Sequence, residues 1–134
     1  MAKHPSLPLV AGIASALSGA VLLTCALQLG LFVRWIRPPF HVAPWFMLVF
    51  GAVALISGAA LIQARWWAVL VAAASNVLGA LLMFVWLVFA VLGGYLSLLN
   101  LAAPFVCTAA AVLSLLALPT VRQADEERKS LYAD

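Results

Sequence analysis

The chain has 134 residues, 67% of them hydrophobic and only 8% charged, with a mean hydropathy of +1.18 and a formal net charge of +3. A water-soluble domain carries about 25% charged residues, so this composition excludes a soluble globular fold. The seven Lys and Arg residues are scattered over the segments between and outside the apolar blocks. They form no basic stripe, so nucleic acid is excluded as a partner.

Four apolar blocks occupy residues 7–33, 45–62, 66–92 and 96–118, and none contains Lys, Arg, Asp or Glu. About 18 or more apolar residues without charge read as a membrane-spanning helix, because about 20 residues cross a hydrocarbon core of about 30 Å. The expected fold is therefore an all-α integral membrane protein. It is a single domain of four transmembrane helices in an up-down antiparallel bundle, with the lipid bilayer as its solvent.

The first block follows Lys3. It continues well past the 7–15 apolar residues of a secretory leader, so it is read as a retained span. Gly12, Ser15 and Gly19 lie in it at i, i+3 and i+7, on one helix face. Gln28 falls nearer its end and is a candidate intramembrane hydrogen-bonding residue. The connector that follows holds Arg34, Trp35, Arg37, Pro38, Pro39 and His41. Its guanidiniums, with Trp35, are candidates for contact with a lipid headgroup or a partner, since Arg donates a bidentate fork to phosphate.

The second block repeats the first block's spacing with Gly51, Ala54 and Gly58. In lipid there is little hydrophobic drive between helices, so close backbone approach at small residues supplies association. The third block, after the short joint Gln63-Ala64-Arg65, offers Ala72, Ser75 and Gly79 as its stripe, and the fourth offers Ala103 and Ala110. Asn76 is the deepest strongly polar residue. It is expected to hydrogen-bond to a neighbouring helix, a contact worth on average about 0.6 kcal/mol and at most about 2. Trp86, deep in the same block, has an indole N–H that needs a partner. Gly93-Gly94 joins the third block to the fourth without charge, and glycine suits the positive φ of helix ends.

After Pro119 the chain becomes polar. Proline breaks helices and Thr120 with Gln123 fits a capping box, so a separate short helix over 121–131 is expected in a tail of 119–134. Lys3, Arg65, Arg122, Arg128 and Lys129 fall on one side of the membrane, and Arg34 and Arg37 on the other. Basic residues stay cytosolic. Both termini are thus expected in the cytosol, with the protein in the plasma (cytoplasmic) membrane.

The reactive chemistries find no support in the pattern. Proton-coupled transport calls for an ionisable group within the membrane, and the blocks contain no charged residue. His4 and His41 are far apart with no acid beside either, so neither a metal nor any other cofactor is expected. Cys25 and Cys107 form no CxxC pair. They read as small buried side chains. No base accompanies a nucleophile inside the spans, so an enzyme is not expected. The expected role is a non-catalytic accessory, scaffold or assembly subunit packing with other membrane chains or with itself. The alternatives are an oligomeric transporter or channel lined by Asn76, Ser75, Gln28 or Thr108, and a lipid-binding protein.

Overall fold

The computed structural model describes residues 6–32, 43–94 and 97–133. Among these the chain forms four helices: α1 (Leu7–Phe32), α2 (Ala43–Ile62), α3 (Trp66–Gly93) and α4 (Leu98–Ala133). All four are long and apolar enough to cross a membrane, which indicates a membrane protein. A helix is the required answer in hydrocarbon, because it satisfies each backbone N–H and C=O within its own segment.

The first half of α1 sorts its residues by size rather than by polarity. In α1, Ala11, Gly12, Ser15, Ser18 and Gly19 are buried, while Leu9, Val10, Ile13 and Leu17 face outward. Small residues inside let backbones approach, and large apolar ones outside suit lipid. The helices form a four-membered bundle in which α1 packs most extensively on α2 and α3 on α4. Contacts of α1 with α4 and α2 with α3 close the ring, and α1 also meets α3 across it.

Two apolar clusters cap the interior. One gathers Leu22, Cys25, Ala26, Met47, Ala80, Met83, Ala103 and Cys107. The other gathers Ala11, Leu61, Ala68, Val69, Ala72, Ala117 and Val121. Between them in each helix lie the buried polar residues Ser15, Ser18, Ser57, Ser75, Asn76 and Ser114.

Local chemistry sets most boundaries. Gly94 ends α3 with φ 74°, and its N–H reaches the carbonyls of Ala90 and Val91, the left-handed cap expected of glycine. Ser97 begins α4, its Oγ accepting the N–H of Asn100 at 3.2 Å, an N-cap bond. Ala64 takes the corresponding left-handed position after α2, with φ 55°, which a residue bearing Cβ adopts at some cost.

The tail departs from expectation. Instead of a break at Pro119 and a separate helix over 121–131, α4 runs unbroken for 36 residues through both Pro104 and Pro119. Proline removes a donor and crowds the carbonyl four residues back, and tertiary packing offsets that cost. Ala117 and Val121, on either side of Pro119, are completely buried against α1, α2 and α3. Farther on, Arg128 Nη2 donates to the Gln63 carbonyl at 3.2 Å, tying the tail to the α2–α3 turn.

Candidate functional site

The small-residue stripes of α1 and α2 face each other. A Cβ placed on Gly12 would stand 2.7 Å from the Gly58 carbonyl oxygen, and one on Gly58 2.7 Å from the Gly12 oxygen. A Cβ on Gly19 would stand 2.6 Å from the Gly51 oxygen, and one on Gly51 3.0 Å from the Gly19 oxygen. Partner numbers fall along α2 as they rise along α1. Seven residues are two turns, so the two contacts lie about 10 Å apart along the axis, and the backbones stay close between them. In that interval Ser15 donates to the Ala54 carbonyl at 2.9 Å. Gly79 serves a different neighbour: a methyl group there would first meet Leu22 Cδ1, at 2.9 Å.

Asn76 is fully buried and stands at the hub of a hydrogen-bond network. Its Nδ2 donates to Ser15 Oγ at 3.0 Å and to the Ala72 carbonyl at 2.7 Å. Its Oδ1 accepts the Ser18 hydroxyl at 2.5 Å. Ser18 Oγ in turn lies 3.2 Å from Cys107 Sγ. Through Ser15 the chain of bonds reaches Ala54, where Ser57 also donates, at 3.2 Å. Residues from α1, α2, α3 and α4 thus meet in one layer. The arrangement fixes the amide's orientation, because its nitrogen faces two acceptors and its oxygen a donor. Buried polar groups cost least when fully paired, and this amide uses both protons and its oxygen.

The other expected polar residues lie apart from the layer. Ser75 is buried but returns its hydroxyl to the Ala72 carbonyl of its own helix at 3.1 Å. Adjacent helical positions point about 100° apart, which keeps it off the face that Asn76 uses. Thr108 likewise donates to its own helix, at Pro104, 2.7 Å away. Gln28 is exposed on α1 and does not join the layer. Ala110 is fully buried, and its carbonyl accepts Ser114 Oγ at 2.8 Å. Arg34, Trp35 and Arg37 lie outside the described residues.

Sequence reasoning singled out Asn76 but missed Ser18 as its partner and Cys107 beside Ser18. The available signal was positional: Ser15 and Ser18 are three apart, so they share a face with Gly19 and Leu22. Cys25 and Cys107 are both buried free thiols in the same apolar cluster. Trp86 packs against that cluster, and its Nε1 is buried without a hydrogen-bond partner among the described residues. Trp45, Trp66 and Trp67 stand exposed near helix ends, where amphipathic rings favour headgroup depth.

No protein-family model, curated protein or solved structure matches the chain.

Proposed function

We propose that the protein is a non-catalytic accessory, scaffold or assembly subunit that packs with other membrane chains or with copies of itself. The observation that carries this reading is the Asn76 layer. Its polar atoms bond to one another across α1, α2 and α3, with Cys107 of α4 against Ser18. Such a layer holds helices together and sets their register, and each bond contributes on the order of 0.6 kcal/mol. What the bundle offers to others is its outside. Leu81, Phe84, Val85, Val88, Phe89 and Leu92 cover α3 with exposed apolar surface, which lipid or a neighbouring helix covers equally well.

A transport path would need polar groups on one continuous wetted surface. Asn76 points into the sealed layer, Ser75 and Thr108 bond their own helices, and Gln28 faces outward. That dispersal favours the packing role over a path through a single chain.

In this reading the four spans alternate in direction within the plasma membrane, with both termini cytosolic. The contact of Arg128 with the α2–α3 turn supports it, because it gathers Arg65, Arg122, Arg128 and Lys129 toward one end. Basic residues favour the cytosolic face.

The test is purification of the tagged chain in mild detergent, with the mass and identity of all co-purifying chains read by mass spectrometry. Stable stoichiometric partners, or defined copies of the chain itself, are expected. A lone monomer from the gentlest extraction overturns the reading.

A further inference from the structure

At the end of the bundle where α3 begins, a groove of about 440 Å³ lies between α3 and the charged extension of α4. Its floor is Trp66, Leu70 and Leu118, and its rim is Arg122, Asp125, Glu126 and Lys129. Positions 118, 122, 125, 126 and 129 share one face of α4, since their offsets follow the helical repeat. That face passes from apolar to charged within one turn. Trp66 and Leu70, one turn apart on α3, are both exposed. An apolar floor beside a charged rim, with a tryptophan between them, is the composition that suits the level where hydrocarbon gives way to headgroups.

The rim carries two positive and two negative side chains. Arg122 Nε lies 3.6 Å from Glu126 Oε1, and Lys129 Nζ 3.0 Å from Asp125 Oδ2. Three of the four side chains are mostly exposed: 78% for Arg122, 69% for Glu126 and 72% for Lys129. The Arg122–Glu126 pair, exposed on both sides, is worth little and exchanges partners readily, whereas Asp125, at 19% exposure, presents only part of its carboxylate to the groove. An anionic headgroup would gain from Arg122 and Lys129 but meet the carboxylates of Asp125 and Glu126. A headgroup bearing both a phosphate and an ammonium pairs with all four. Carboxylates accept hydrogen bonds from a primary ammonium, which a quaternary ammonium cannot donate.

We propose that this groove seats one phospholipid with a primary-amine headgroup. The phosphate lies against Arg122 and Lys129, the ammonium against Asp125 and Glu126, and one acyl chain along Trp66, Leu70 and Leu118. This proposal makes no use of the connector arginines and does not depend on the accessory role.

The full-length chain in mild detergent is mixed with equal amounts of phosphatidylethanolamine, phosphatidylcholine and phosphatidylglycerol of one acyl composition. Lipid retained per chain is read by native mass spectrometry. One phosphatidylethanolamine is expected, retained about fivefold over either competitor, the scale of one well-formed exposed ion pair. Asp125→Asn with Glu126→Gln should bring the ethanolamine and choline lipids to parity. Arg122→Gln with Lys129→Gln should lower retention of all three. Circular dichroism matching the parent keeps a folding defect from imitating the result, and Glu126→Gln alone serves if a double variant misfolds. Equal retention of the three lipids, preference for phosphatidylglycerol, or indifference to both double variants overturns the proposal. So does a dimer of this chain that the charge substitutions dissociate.

Discussion

Gly19 of α1 lies so close to Gly51 of α2 that a methyl group on Gly19 would stand 2.6 Å from the Gly51 carbonyl oxygen and 2.7 Å from the Leu55 nitrogen. Both obstacles are backbone, so no side-chain rotation relieves them. The Gly12–Gly58 contact repeats the arrangement two turns away. Together they set how near α1 and α2 can come, and hence where Ser15 meets Ala54 and Asn76.

Gly19→Ala and Gly58→Ala are expected to destabilise the bundle by about 1–3 kcal/mol, the cost of overpacking a filled contact. Gly79→Ala should be nearly neutral. Its close neighbour is the tip of Leu22, and alanine regains about 1 kcal/mol of helix propensity over glycine. Unfolding in mixed micelles with increasing sodium dodecyl sulfate ranks the three. Equal costs at positions 19 and 79 would remove the backbone contact as the explanation.

Asn76→Ala should cost about 1–2 kcal/mol, more than Ser18→Ala at about 0.6 kcal/mol, because it removes the hub rather than one spoke. The costs should also be non-additive. Double-mutant cycles pairing Asn76→Ala with Ser15→Ala and with Ser18→Ala should each return a coupling of at least about 0.5 kcal/mol. Strict additivity in both cycles would show that these side chains do not act on each other.

Trp86 has a buried indole N–H without a partner among the described residues. Removing an unpaired donor is nearly neutral or stabilising, but phenylalanine is smaller than the indole that packs against this cluster. Trp86→Phe should therefore cost the isolated chain no more than about 1 kcal/mol, the packing lost with the smaller ring. A loss above about 2 kcal/mol, that packing plus a hydrogen bond, would mean that the N–H has found an acceptor.

The spans were readable because charge-free length is a direct consequence of the bilayer's thickness. The stripe Gly12, Ser15, Gly19 and its echo Gly51, Ala54, Gly58 were readable too, since helical offsets fix which residues share a face. What each stripe meets was not. Asn76 bonds Ser18 and Ser15 at sequence separations of 58 and 61, and no local pattern encodes such distances. Gln28, near the end of its block, is exposed rather than part of the Asn76 layer. It lies two residues beyond Ala26, the last buried residue described on α1, and so points away from the core. At Pro119 the local rule predicts a break, but burial of Ala117 and Val121 on either side carries α4 through.

The account depends on an interior closed to water around the Asn76 layer. Cys107, fully buried and 3.2 Å from Ser18, reports on it directly. In sealed vesicles holding the Cys25→Ala variant, a small membrane-impermeant methanethiosulfonate is applied to each side in turn. The account predicts that Cys107 stays unmodified from both sides for hours and reacts fully once detergent unfolds the bundle. Modification within minutes from either side would reveal a water path through the layer and contradict it.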